Sequence, residues 1–545
     1  MKETVKINGQ IVDVVSRKIF PGTISIKNGK IESVVMDKNI HEKQYILPGF
    51  VDSHIHIESS LLSPQQFAQI AVKHGTVATV SDPHEIANVL GTKGIEFMVN
   101  DGKKVPLKFH FGIPSCVPAT PFETAGAVID SEKIADLLKT GNYYFLAEMM
   151  NFPGVINEDK EVLKKLELAK QYNLPIDGHA PGVRGDDLRK YIAHGVVTDH
   201  ECEDYEEAEE KIKAGMKIQI REGSAAKSFD ILIPLLKKYP ESIMFCSDDR
   251  HPDDLIQCHI NDFVKRAVAK NYDLFDTLRA ATLNPVKHYK LQTGLLQKND
   301  PADFILVDNL EDFNIKATYI NGEPVFSDGK ISFEIAGKDA PNIMNANLLS
   351  ETDLSVAQQS ARIRTIVAFD NQLFTDAGEE KVDSGKKYVD SDPENDLLKI
   401  VVYNRYKPSR PAIGFVKNFG LKEGAIASSI AHDSHNLIVV GASDEEIRIA
   451  INGLIKQKGG IVAVKNKSVD GLPLEIGGLM THAPVEKVSE KYVELTRIAQ
   501  QMGCSLNAPF MTLAFMALPV IPKLKITDQG LFDVSQFKYV DLFLK

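Results

Sequence analysis

Apolar positions along this chain follow two rhythms. Short runs of branched and aromatic residues, bounded by Gly, Pro, Asn or Asp, read as buried strands. Longer stretches with apolar residues three and four apart read as helices. Between residues 49 and 246 the two alternate, with strands expected at 49–55, 76–80, 107–112, 144–147, 175–177, 196–198, 217–220 and 243–246. Among the helices, 161–172 carries an apolar stripe of Val162, Leu163, Leu166 and Ala169. Eight strand-helix units imply a (β/α)8 barrel, whose chemistry sits at the C-terminal strand ends.

The flanks have a different texture. Strands are expected at 11–15, 23–26 and 31–35, separated by turns at Pro21-Gly22 and Asn28-Gly29-Lys30; Asn-Gly is a strong hairpin signal. A similar piece recurs at 303–307 and 313–320, followed by Asn321-Gly322. The two pieces are expected to form one small domain with the barrel inserted between them. Residues 345–395 are largely polar, with a loose connection expected around 383–396. Beyond it, strands at 400–403 and 437–440 and a helix at 444–457 indicate a further α/β domain, with tight connections at 477–480 and 503–506. The expected limits are 1–47 plus 290–340 for a composite β-sandwich domain, 48–289 for the barrel, 341–395 for a connecting region and 396–545 for the C-terminal domain.

Composition narrows the function classes. The 545 residues are 43% hydrophobic and 25% charged, with a net charge of -11. No basic excess suits a nucleic-acid partner. No stretch is long and apolar enough to span a bilayer, so no membrane partner is expected; the apolar 510–521 segment carries a proline and reads as buried core. Residues 1–12 lack the apolar core of a signal peptide. The five cysteines form no CxxC pair, which fits a reducing, cytoplasmic setting. Tryptophan is absent, excluding sites built on indole.

Candidate chemistry collects where the strands end. The first ends in His54-Ile55-His56, whose period of two puts both imidazoles on one face. The second ends in Asp82-Pro83-His84-Glu85, the fourth in Glu148, the fifth in Asp177-Gly178-His179, the sixth in Asp199-His200-Glu201 and the eighth in Asp248-Asp249. Any one of these has an ordinary alternative: a solvated histidine, a helix cap, a backbone hydrogen bond. Together, His54, His56, Glu148, His179, His200 and Asp248 can surround two divalent ions, with Glu148 as the bridging carboxylate. A one-residue shift in register would exchange Asp248 for Asp249. A divalent ion lowers the pKa of its water to about 7, and a neighbouring carboxylate, for which Asp248 is suited, can move the proton. Gly112-Ile113-Pro114-Ser115 and Arg221-Glu222-Gly223-Ser224 are candidate pocket loops. GxGxxG, Walker and GxSxG motifs are absent, so no nucleotide cofactor or serine nucleophile is implied.

The run Leu47-Pro48-Gly49-Phe50-Val51-Asp52-Ser53-His54-Ile55-His56 resembles the opening signature of the amidohydrolase superfamily. More narrowly, His56-Ile57-Glu58-Ser59-Ser60, Asp82 to Val89, Asp177 to Gly182, Ser247 to Pro252 and Ala431 to Asn436 resemble the bacterial adenine deaminases, over nearly the whole chain. The resemblance implies hydrolysis of adenine to hypoxanthine and ammonia on a metal-dependent TIM barrel, with a binuclear centre of Mn2+ or Fe2+, Zn2+ also being admissible. Glu148 stands where many superfamily members carry a carboxylated lysine. Asp248 would shuttle protons, and Glu201, Glu85 or His84 would protonate N1 of the purine. His84, Arg184 and Arg221 are candidates to contact the base.

Two rivals remain at this point. One is another cyclic amidine or amide hydrolase on the same scaffold, guanine-deaminase-like or dihydropyrimidinase-like. The other is a retired hydrolase serving as a binding module, against which no expected ligand is missing. His432 and His435 could build a second polar site, close the active-site mouth or support subunit contacts. A homodimer is expected only as the commonest state of soluble enzymes.

Overall fold

The computed structural model describes residues 4–337, 339–370 and 372–545. The chain divides into two compact units, one of Met1–Pro83, Glu96–Ser115 and Asp130–Gly337, the other of His84–Ile95, Cys116–Ile129 and Lys338–Lys545.

The first unit has a (β/α)8-like core and a sheet. Its core strands are Phe50–Ile55, Thr76–Ser81, Lys108–Phe111, Leu146–Met149, Ile176–Gly178, Thr198–Asp199, Lys217–Arg221 and Ile243–Cys246. Strands one to three pair in parallel, as do four with five and six through eight. Backbone bonds join the groups. Ile113 bridges to Leu146 beyond strand three, the Val197 N–H donates to the Ile176 carbonyl, and Ile55 bridges to Asp248. Strand one is buried along its whole length, its polar Asp52, Ser53 and His54 included. Helices such as Lys160–Gln171 and Tyr205–Lys213 intervene between strands. Asp159 and Asp204 cap these two by accepting N–H bonds from the first turn.

Strands from both ends of this unit share one continuous eight-stranded sheet. Val5–Asp13, Lys18–Lys27, Lys30–Met36 and Tyr45–Pro48 lie beside Phe304–Val307, Ile315–Ile320, Glu323–Ser327 and Lys330–Ile331. Ile11, Ile24 and Ile46 pack with Phe304, Leu306 and Ala317 in a single apolar core. Asn28-Gly29 and Asn321-Gly322 make tight turns with positive φ at both residues, as the hairpin signal demands. Pro21-Gly22 is no turn; it lies inside Lys18–Lys27. The Pro21 carbonyl accepts from the Asp37 N–H just past the end of the third strand, so the missing proline N–H breaks no ladder bond. Gly49 joins this sheet to the first core strand, and a Cβ there would stand 2.2 Å from Val77 Cγ1.

The second unit carries a second eight-stranded sheet. Its order is Asp376–Lys381, Arg362–Val367, Ala412–Lys417, Leu398–Tyr403, Leu437–Gly441, Ala425–Ser428, Gly460–Lys465 and Ser468–Pro473. The first two strands fall within 341–395, which the polar texture assigned to a connection. Asp376–Lys381 is an edge strand alternating between half-buried and exposed, so it carries almost no apolar signal. The helix Asp444–Lys456 buries Ile447, Ala450, Ile451 and Leu454 against this sheet. Pro509–Phe515 is fully buried.

Candidate active site

Four strand ends of the first unit converge on Glu148. Its Oε1 lies 3.2 Å from His56 Nε2, and its Oε2 lies 3.2 Å from His200 Nε2 and 2.7 Å from His179 Nδ1. Asp248 Oδ1 lies 3.3 Å from both His54 Nε2 and His56 Nε2, which are 3.1 Å apart. The His54 and His200 rings stack with centroids 4.0 Å apart. Asp248 takes a left-handed backbone, φ 53°, and is fixed to strand one by mutual backbone bonds with His54 and His56. Asp249 points elsewhere, accepting a 2.5 Å bond from Ser59 Oγ.

The donor types and spacing suit divalent cations. Ligands about 2.0–2.2 Å from a metal are separated by roughly 3.0–3.4 Å, and four of the contacts around His54, His56, Glu148 and Asp248 lie at 3.1–3.3 Å. His56 makes the stronger case. Its Nδ1 is 3.2 Å from the Asp82 carbonyl oxygen, which places the ring proton there. Nε2 of the neutral ring is then a lone pair, yet two carboxylate oxygens and another imidazole nitrogen crowd it. Acceptors so arranged repel unless positive charge lies among them, whether a second ring proton or a bound cation. Burial opposes a charged His56, but Asp248 and Glu148 outweigh it and hold its pKa well above the usual imidazole value. Likewise burial lowers and Glu148 more than restores the His200 pKa, raised to about 9. Glu148 and Asp248 stay far below the usual carboxylate range despite burial, the first through His179, the second through Arg221.

Glu201 borders this cluster, with Oε1 3.8 Å from His179 Nδ1 and 3.7 Å from His200 Nε2. Arg221, at the end of strand seven, bonds both Glu201 oxygens and donates from Nη1 to Asp248 Oδ2 at 2.8 Å. Arg184 is exposed and paired with Asp204. Asp177 is buried under 2.9 Å bonds from the Tyr289 hydroxyl, and burial pushes its pKa up to about 7.

Glu85 and His84 belong to the other unit. There Glu85 Oε1 is 2.7 Å from His432 Nδ1, and Oε2 bonds His435 Nε2. The Ala431 N–H donates to His435 Nδ1 at 3.3 Å, which turns the ring's Nε2–H toward Glu85. His84 Nε2 lies 3.4 Å from Glu85 and 3.9 Å from Asp433. Glu85, His432 and His435 have metal-ligating atoms, but their contacts have hydrogen-bond spacing and hydrogen-bond directions.

Several supporting residues stand outside the candidate ligands and catalysts. Asp52 is wholly buried and accepts from Ser247 Oγ at 2.5 Å and from the Ser247 N–H at 3.1 Å, tying strand one to strand eight; His259 Nε2 lies 2.8 Å from the same carboxylate. Lys211 is wholly buried and donates to the Ala180 carbonyl at 2.7 Å and to Asp199 and Glu207 at 2.5 Å. It thereby pins the loops that carry His179 and His200. The only sequence hint was Glu207 one helical turn before Lys211.

Known proteins give a consistent picture. Residues 45–325 match the amidohydrolase family and 372–538 the adenine deaminase C-terminal domain. The chain is 52% identical to an adenine deaminase of Methanosarcina mazei, over 99% of both chains, and 52% identical to one of Methanosarcina barkeri, over 98% of both. Among solved structures, a beta-aspartyl dipeptidase from Fervidobacterium islandicum is 15% identical with a TM-score of 0.47, covering 61% of this chain and 99% of its own.

Proposed function

Because the chain belongs to the amidohydrolase family, and within it to the adenine deaminases, we propose that it hydrolyses adenine to hypoxanthine and ammonia. The observation that carries the substrate is the 52% identity over 99% of both chains. The site supports the same chemistry. We read the eight core strands as a closed barrel, supported by the bonds linking strands three to four, five to six and eight to one.

His54, His56, Asp248 and Glu148 Oε1 would hold one divalent ion, and Glu148 Oε2, His179 and His200 a second. Imidazole and carboxylate donors suit Mn2+, Fe2+ or Zn2+. The ions would supply Lewis acidity that brings water to nucleophilic strength near neutral pH. Glu148, with one oxygen facing each donor group, fixes their separation. The His56 Nδ1 bond to Asp82 holds that ring's lone pair toward the site.

Hydrolysis adds a water oxygen to C6 and expels ammonia. The ring can accept the electrons only if N1 gains a proton. Glu201 is the best placed of the three candidates, standing beside His179 and His200, whereas Glu85 is engaged by His432 and His435. Burial raises the Glu201 pKa, but Arg221 outweighs it and keeps the carboxylate below its usual value, so the ionised Glu201 takes one proton from the water and delivers it to N1. Asp248 accepts the proton left on the added hydroxyl and passes it to the departing amine, so atoms and charge balance. The division into a composite sheet domain, barrel and C-terminal domain is read with the limits expected from the sequence, with 341–395 now contributing two strands to the last.

The test is ammonia release from adenine by protein purified without chelator and supplied with Mn2+, with adenosine, guanine, cytosine and a hydantoin in parallel. Release from adenine alone, lost on chelation and restored by Mn2+, is expected. Metal-replete protein inert toward adenine but active on guanine or the hydantoin would replace the reading with the rival hydrolase.

A further inference from the structure

Glu201 is a third carboxylate beside two imidazoles, and by donor type it could itself hold a cation with His179 and His200. Its Oε1 is 3.7 Å from His200 Nε2 and 3.8 Å from His179 Nδ1, a few tenths of an ångström beyond the spacing of shared ligands. What occupies it instead is Arg221. The guanidinium engages Glu201 with both Nη atoms, one to each carboxylate oxygen, while Nη1 also reaches Asp248 Oδ2. This fork is anchored at its base, where the Arg221 N–H and carbonyl both bond with Ser228, at 3.0 and 2.9 Å. Two-point guanidinium-carboxylate pairing fixes direction as well as distance.

We propose that Arg221 is a positioning residue that withholds Glu201 from the cation held by His179 and His200, keeping that carboxylate for the purine. The inference rests on the proposed deaminase reading. The three carboxylates divide between two uses. Glu148 and Asp248 Oδ1 face the imidazoles, and Glu201 has its charge matched by a fixed cation of the chain. Without Arg221, Glu201 has only those few tenths of an ångström to close to become an additional ligand. A Glu201 carboxylate drawn onto the ion beside His179 and His200 no longer faces N1, so the loss would appear in turnover rather than in affinity. Arg221 is thus assigned to its carboxylate neighbours and not to direct contact with the base.

The experiment compares wild type, R221Q, R221K, E201Q and the R221Q/E201Q pair, each loaded with Mn2+. R221Q is expected to lower kcat by about 10²-fold or more, the usual range for losing general acid–base catalysis, with KM changed less than threefold. Mn2+ should leave R221Q more slowly than wild type under excess chelator, because a ligand has been gained. R221K should recover part of kcat, and R221Q should cost nothing further in the E201Q background. A rise in KM at preserved kcat, faster Mn2+ loss from R221Q, or full additivity of the two substitutions would each overturn the proposal. If wild type does not deaminate adenine, the functional reading falls, and the chelator comparison still tests whether Arg221 keeps Glu201 off the ion.

Discussion

Lys211 offers the sharpest quantitative test of how the site is held. It is wholly buried, and its ammonium makes three short bonds, to Asp199, Glu207 and the Ala180 carbonyl. Asp199 immediately precedes His200, and its other oxygen accepts the Glu201 N–H at 2.8 Å. Glu207 also accepts the Gly182 N–H at 2.9 Å, three residues past His179. Replacing Lys211 by Met keeps most of the volume but leaves two buried carboxylates without a cation. Breaking such a group costs about 3–5 kcal/mol, so one carboxylate will take up a proton or the loops will part. Either outcome relaxes the anchor of His179 and His200, and loss of comparable supporting contacts weakens metal affinity about 10–100-fold. Mn2+ titration of apo-protein should therefore show one wild-type site and one weakened site. Adding D199N and E207Q to K211M removes the stranded charge, and should recover heat resistance without fully restoring the weaker site. K211M with wild-type heat resistance and two unchanged Mn2+ affinities would refute the reasoning.

Three further outcomes are expected. D248N should lower kcat on adenine by about 10²–10⁴-fold while leaving the circular dichroism spectrum unchanged; near-wild-type turnover in metal-replete D248N would remove its proton-shuttle role. E201Q should lower kcat strongly while E85Q, whose parent carboxylate is bonded to His432 and His435, should chiefly lower heat resistance; the reverse pattern would move the N1 acid to Glu85. Burial holds His74 to a pKa of about 3 and His110 and His288 to about 4. Their folded pKa values lie below the unfolded value, so the unfolded chain binds more protons as pH falls. Stability is complete above pH about 6.5 and declines below it, by up to about 1.4 kcal/mol per pH unit for each ring. The triple variant H74Q/H110Q/H288Q should flatten the pH dependence of thermal inactivation between pH 6.5 and 5, and an unchanged slope would show that these rings do not govern it.

Much of this architecture is legible from local pattern because the strands are buried on both faces. Runs such as Ile243–Cys246 have no solvent-facing positions to blur them. The metal-ligating candidates are legible for the opposite reason, being polar residues at the ends of apolar runs. What local pattern cannot carry is pairing across the chain. Asp52 belongs to the opening run, but its task is hidden until Ser247 and His259 are brought to it across 195 and 207 positions. Lys211 looks like a solvated helix lysine until Asp199 and Ala180 fold over it. Asp376–Lys381 is hidden because an edge strand can satisfy water on one side with polar residues.

The shared sheet of the first unit imposes an order on assembly. Tyr45–Pro48 pairs directly with Phe304–Val307, so the ribosome must add some 250 residues before that partner emerges. At ordinary synthesis rates the wait is on the order of tens of seconds. Throughout it, Ile11, Ile24 and Ile46 lack the Phe304 and Leu306 side that finally encloses them. Nascent chains stalled between residues 50 and 300 should be good clients for holding chaperones, with release tied to synthesis of Phe304–Val307 and its antiparallel partner strand Ile315–Ile320.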